Sequence, residues 1–328
     1  MIRTKNKLTY TNKVYSFYCF FVLTGVIGCT STSNLEKWNE GVFVRSESNP
    51  MIYQEMEGLE RFVGENINGP SVIKVPNWVS NPLGKYYMYF AHHHGKFIRM
   101  AYANTSTGPW TVYKPGVLHL DKTVAIGHIA SPDVIIDESS KTIKLYFHGK
   151  IPNSKAQKTF LSTSKDGLEF IASNTILGPS YFRVFAYQGE SYALSSGTFY
   201  KKTSDNKAYE KGAIILPHAR HTALALIDDT LIVFYSQKGD APERILKCKI
   251  NLSEGTWETW KASSPEEVLK PKTKYEGFHL PIEKSTGGFA EKPVHQLRDP
   301  AIFIDNDDVY LYYSIAGESG IAVAKLIK

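Results

Sequence analysis

The chain has 328 residues, of which 42% are hydrophobic and 21% charged, enough to bury a core in one domain or two and too apolar for a disordered polymer. Its net charge is +6, but four of the positive residues (Arg3, Lys5, Lys7 and Lys13) precede the first long apolar stretch, and without them the balance falls to +2. No basic run suited to tracking phosphates follows, so a nucleic-acid partner is not expected.

Residues 1–28 have the order of an export leader. The four basic residues come first with no acidic one among them, and Val14 to Ile27 follow as an uncharged apolar and aromatic stretch. That stretch is too short to span a bilayer comfortably. It ends in Val26-Ile27-Gly28-Cys29, which resembles the bacterial lipobox, so Cys29 is the expected lipidation site. Several acyl chains on one Cys make a firm anchor without a spanning helix. Thr30, rather than Asp, follows Cys29, which points to the outer membrane of a Gram-negative bacterium. Cys19 leaves with the leader and Cys248 stands alone, so no intrachain disulfide is expected.

Residues 29–60 are expected to be a tether from the lipid, with Gly41 to Arg45 (GVFVR) as a strand that closes a ring with the end of the chain. Residues 61–328 then read as strands. Helix signals are scarce, and apolar runs rich in Tyr, Phe, Val and Ile follow the strand period. Five units open alike. Gly69-Pro-Ser-Val-Ile leads to KYYMYF, Ser131-Pro-Asp-Val-Ile to IKLYF, and Tyr181-Phe-Arg-Val-Phe to SYALSS. Thr222-Ala-Leu-Ala-Leu leads to LIVFY, and Asp299-Pro-Ala-Ile-Phe to VYLYY. Repetition of one β-unit predicts an all-β, five-bladed β-propeller. A β-sandwich with as many strands does not explain why each unit opens alike.

In a propeller the openings of the innermost strands crowd the axis. Here they gather Asn68, His128, Ser131, Asp133, Arg183, Arg220, His221, Arg298 and Asp299, and the ends of the second strands add His92, His93, His94 and His148. Stacking the units puts His92 and His148 at equivalent positions. Alternation along a strand turns His93 away from its two neighbours. Nothing beyond His92 and His94 has zinc-motif spacing, so no metal and no other cofactor is expected.

The blade openings resemble those of the five-bladed glycoside hydrolases, chiefly family 43 and its neighbour family 117, over about residues 65–328. That resemblance implies three carboxylates: a base in the first blade, a pKa-tuning Asp in the second and an acid in the third. Asp133 matches the second. Gly69 and Leu177 stand where the other two would fall, which argues against standard hydrolysis. Two further stretches, Asn66-Ile-Asn-Gly-Pro-Ser-Val and Tyr89-Phe-Ala-His-His, resemble the oligosaccharide dehydratases of marine ulvan degradation. This implies a lyase that removes water by β-elimination from a uronic acid at the non-reducing end of an anionic oligosaccharide.

A His, Arg and Tyr site suits that chemistry. From blade position, His128 or His221 is the expected base and His148 or His92 the expected acid. Arg183, Arg220 and Arg298 would hold the carboxylate or sulfate, Asp133 and Asp299 would orient a His or Arg, and Asn68 would contact substrate. A monomer is expected. Two other readings stay open. One is a hydrolase using Asp133, Asp299 and Glu190. The other is a non-catalytic surface glycan-binding lipoprotein with Trp78 and Trp110 as platforms.

Overall fold

A computed structural model describes residues 31–59, 65–154, 156–204 and 208–328. The expected leader and Cys29 lie outside the described residues. The described chain is a five-bladed β-propeller of antiparallel sheets. Blade one comprises Asn68–Lys74, Tyr86–Ala91, Phe97–Ala103 and Thr111–His119, from the axis outward. Blade two comprises Ile126–Asp137, Thr142–Lys150 and Gln157–Ser164, whose outer edge pairs with both Ile171–Ala172 and Gly178–Pro179. Blade three comprises Phe182–Tyr187, Glu190–Ser195, Thr198–Lys201 and Glu210–Ile214. Blade four comprises Ala219–Ile227, Thr230–Gln237, Ile245–Asn251 and Glu266–Leu269. Blade five has Arg298–Asp305, Asp308–Ile315 and Gly320–Ile327 from the end of the chain, and Val42–Arg45 as its outer strand.

The second strands explain why the ring forms. In blades one, four and five each is apolar on both faces, because each is sandwiched between neighbouring blades. In blade one, Tyr86, Met88 and Phe90 pack with Phe303, Tyr310 and Tyr312 of blade five. The alternate residues Tyr87 and Tyr89 pack with Ile143, Leu145 and Phe147 of blade two. Blade four repeats the pattern. Ile232 and Phe234 face Leu311 and Tyr313 of blade five, whereas Leu231, Val233 and Tyr235 face Leu194 and Phe199 of blade three. A period-two strand with two apolar faces has no solvent side, so the sequence reads as an unbroken apolar run.

Val42–Arg45 pairs antiparallel with Gly320–Ile327, with Val42 opposite Ile327 and Arg45 opposite Ala324. Within the stretch expected to be a tether, Ser31–Glu40 instead forms a helix. Its Trp38 is buried against Phe234, ring centroids 6.1 Å apart, and Lys247 Nζ donates to the Trp38 carbonyl at 3.0 Å. Arg45 Nε reaches the fully buried Glu276 at 2.7 Å, which ties the closing strand to the connection between blades four and five.

Candidate active site

The innermost strands do not enter the ring smoothly. Register shifts fall between Asn68 and Ser71, Ala130 and Asp133, Ala219 and Thr222, and Arg298 and Ala301. In three blades the residue before proline at this bulge has positive φ: Gly69 at 61°, Ser131 at 51° and Asp299 at 48°. A bulge re-aims a side chain toward the rim of a sheet. Asp299 and Tyr181, the latter at φ 67°, are non-glycine residues held in the left-handed region, a strain that packing must maintain. Both border His221.

Around the axis the bulges and strand ends assemble a chain of rings. His93 stacks on His128 at 6.2 Å, and His128 meets His148 at 6.3 Å. Tyr181 lies between His148 at 4.4 Å and His221 at 4.3 Å. Phe289, from the long irregular connection into blade five, covers His93 at 5.1 Å and His94 at 4.6 Å.

His221 Nδ1 faces Asp299 Oδ1, and Ser314 Oγ donates to the other carboxylate oxygen at 3.1 Å. A carboxylate only accepts, so Nδ1 carries the proton and Nε2 the lone pair. His221 Nε2, His128 Nε2 and His148 Nδ1 are buried with no hydrogen-bond partner among the described residues. Buried polar atoms are nearly always paired, so three orphaned imidazole nitrogens in one cluster mark places for a bound water or a ligand. Burial keeps all three rings neutral. It lowers His128 to about 4, helped by His93 and Lys150. His148 lies well below its usual value through burial and His128, and His221 through burial, Arg183 and Arg220. Burial raises the Tyr181 phenol, and its hydroxyl makes no hydrogen bond among the described residues. The site thus holds neutral bases beside a protonated phenol.

Four carboxylates near the pole, those of Glu243, Glu318, Asp133 and Asp299, have partners within the fold. Glu243 is fully buried and takes Arg220 Nε at 2.8 Å, Arg298 Nε at 3.3 Å and Ser236 Oγ at 2.8 Å. Glu318 takes Arg298 Nη1 at 3.0 Å, Asn66 at 2.6 Å and Asn68 at 3.0 Å, and lies 3.6 Å from His93 Nδ1. Burial alone would raise Glu318, but His93, Asn66 and Arg298 together draw it down to about 2. Asp133 lines an axial cavity of about 140 Å³ with Ser71 and Arg183, where burial raises its pKa against the pull of Arg183 at 3.8 Å. A depression of about 600 Å³ at the other end of blade one, between Lys74 and Tyr86, gathers no acid–base set.

Several expectations from sequence need correction. The second strand of blade one ends at Ala91, and His92 to Gly95 form a turn closed by Gly95 N–H to His92 O at 2.8 Å. The alternation argument therefore fails, and His93 lies inside the cluster. Ala91 is opposite Asn68 as His148 is opposite Ala130, so His92 is one residue out of register with His148. The His92 ring accepts the His94 N–H at 2.9 Å within its own turn, so its Nδ1 is engaged there.

The three arginines do not wait for an anion. Arg183 donates to the Thr222 carbonyl at 2.9 Å and pairs with Asp133. Arg220 pairs with Glu243 and holds the carbonyls of Thr286 and Gly288. Arg298 is shared among Gln296, Glu243 and Glu318. Asn68 supports Glu318 and Asn66, not a ligand. Glu190 sits at the far hairpin of blade three beside Lys201 at 3.6 Å, so it cannot join Asp133 and Asp299. Trp110 is buried in the core between blades one and five, so it is not an open platform, whereas Trp78 is half-buried and donates to Glu138. Gly69 has φ 61°, a backbone conformation that L side chains rarely adopt, so a carboxylate residue there would be strained. Among the described residues no three His, Cys, Asp or Glu converge to hold a metal ion.

No protein-family model matches the chain. The uncharacterized protein R118 of Acanthamoeba polyphaga mimivirus is 33% identical over 354 aligned residues, covering 97% of this chain and 98% of that protein. A glycosyl hydrolase from Bacteroides ovatus superposes with a TM-score of 0.61 at 11% identity, covering 88% of this chain and 94% of that one. A thermostable family-43 glycoside hydrolase superposes with a TM-score of 0.55 at 12% identity, covering 80% and 88%. At these identities the two structures share the propeller fold with this chain.

Proposed function

The chain belongs to the family of the mimivirus protein R118, and from the geometry of its site we propose that it is a carbohydrate-active lyase working by β-elimination. The observation that carries this reading is the set of three buried, neutral imidazoles with unpartnered nitrogens, two of them flanking the Tyr181 phenol. The fold shared with glycoside hydrolases favours a sugar substrate. The sequestered carboxylates disfavour the two-carboxylate route of hydrolysis, which needs a free acid and a free base astride the bond.

The roles follow from the contacts. His221 Nε2, its tautomer set by Asp299, takes the C5 proton of a uronic acid. The electron pair released forms the C4–C5 double bond, the C4–O bond breaks, and Tyr181 or His148 gives its proton to the departing oxygen. With the C4 hydroxyl as leaving group, the products are water and an unsaturated uronyl residue. The sequence resemblance to ulvan oligosaccharide dehydratases supports a uronic acid at the non-reducing end of an anionic algal oligosaccharide as substrate. We also propose that Cys29 is lipidated and holds the enzyme at an outer membrane. The charge pattern of residues 1–28 supports this, and labelling with a radioactive fatty acid, abolished by Cys29→Ala, tests it.

The activity test is incubation with uronate-terminated ulvan oligosaccharides. Loss of one water by mass spectrometry, with the ultraviolet absorbance of the conjugated double bond, is expected. Gain of one water, with a freed sugar and no absorbance, would overturn elimination in favour of a hydrolase.

A further inference from the structure

An acidic sugar held at this pole needs positive charge or strong donors to receive its anionic groups. The guanidinium groups around the imidazoles are already engaged within the fold. We propose that Lys96 and Lys150 form the anion-binding subsite of this pole, holding the carboxylate of an acidic sugar beside His128. The inference rests on the elimination reading and specifies its substrate class.

Lys150 follows His148 by two residues on one strand, so both side chains leave the same face of the sheet. Across the ladder Lys150 is opposite Ile126, two residues before His128. Lys96 comes from the other side, in the turn after His94. Its Nζ donates to the carbonyl of Gly127, the residue preceding His128, and the neighbouring Gly95 carbonyl accepts from Ile129 N–H at 3.1 Å. The two ammonium groups therefore flank one strand opening. Lys96 and Lys150 are both exposed. Among the described residues Lys150 makes no ion pair, and Lys96 uses one of its three donors on a neutral carbonyl. Both act on His128 and disfavour its protonated form. Two exposed cations at the opening that carries His128 give this side of the pole a positive potential. A flexible, strongly hydrated ammonium suits an exposed ligand better than the planar guanidinium used in the buried network.

One consequence can be read without turnover. A bound carboxylate offsets the charge of both lysines, so it raises the proton affinity of His128. The experiment follows the His128 imidazole by NMR titration in the full chain, with glucuronate and with neutral methyl glucoside, in the wild type and in a Lys96→Met, Lys150→Met double variant. The expected result is a shift with glucuronate, none with the glucoside, and none for either in the double variant. With the oligosaccharide substrate, each single variant should raise KM about 3–5-fold, with a smaller change in kcat and a weaker dependence on salt. An active double variant with unchanged KM and salt dependence, or a glucuronate shift that survives in it, overturns the subsite. If the wild type eliminates nothing, yet glucuronate moves His128 only when the lysines are present, the subsite stands and the elimination reading falls.

Discussion

Replacing Trp38 by Ala tests whether the helix before the closing strand is part of the ring. Trp38 is 4% exposed and packs in one cluster with Phe43, Phe234 and Leu326. A buried Trp removes roughly 200 Å² from water, which at about 25 cal/mol per Å² is ~5 kcal/mol. Compactness of the unfolded chain lowers that by roughly a quarter, to about 3–4 kcal/mol. Truncations of buried Trp to Ala fall in the same range. At about 2–4 °C per kcal/mol for a domain of this order of size, Tm should fall by about 6–16 °C. The assay is thermal unfolding followed by near-ultraviolet circular dichroism, supported by urea unfolding at a fixed temperature. A fall below about 2 °C would refute the reasoning, because the helix would then contribute nothing to the ring despite its packing.

Asp299→Asn should leave the fold intact and reduce kcat by about 10²–10⁴, since an amide no longer fixes the tautomer that leaves His221 Nε2 free; a loss under about threefold in steady-state turnover would remove Asp299 from the mechanism. Stability should fall as pH drops from about 6.5 toward about 4. His92 and His128 are lowered to about 4 by burial in the folded chain, so the unfolded chain binds protons first in that window. Urea midpoints measured at several pH values check the sign, and a midpoint that rises on acidification contradicts it. Cys248 is buried and its thiol is pushed up to about 12. It should resist a maleimide reagent in the native protein and react in urea; equal rates in the two states would mean that the blade-four core opens readily.

The blades were legible in the sequence because their second strands are forced to be apolar on both faces. Stretches such as KYYMYF and LIVFY announce a strand packed between two sheets, and the shared Gly-Pro-Ser, Ser-Pro-Asp and Asp-Pro-Ala openings mark where each inner strand begins. His128, His148, His221 and Asp299 could be found from that stacking alone. What escaped lies where strand periodicity stops. His93 was turned outward by an alternation rule that does not apply to a turn. Glu243 and Glu318 come from the connections between the second and third strands of blades four and five, and no period marks their arrival. Their burial decides the arginines, since a guanidinium read as an anion clamp in sequence is an internal countercharge once a carboxylate lies beside it. Tyr181 was visible only as the first letter of a blade opening. Its left-handed φ, which places the phenol between His148 and His221, has no signature in the sequence. Phe289 had a weak signal, a lone aromatic after Gly287-Gly288 in a long polar connection.

In the proposed reaction neutral imidazoles, not carboxylates, carry the chemistry. The most direct measurement is the reaction run in deuterated water with a uronate-terminated oligosaccharide, comparing wild type, His221→Ala and Glu190→Gln by NMR and mass spectrometry. An unsaturated uronyl product and loss of water are expected in the wild type and in Glu190→Gln, and neither in His221→Ala. Cleavage to two saturated sugars, or full elimination by His221→Ala, would contradict it.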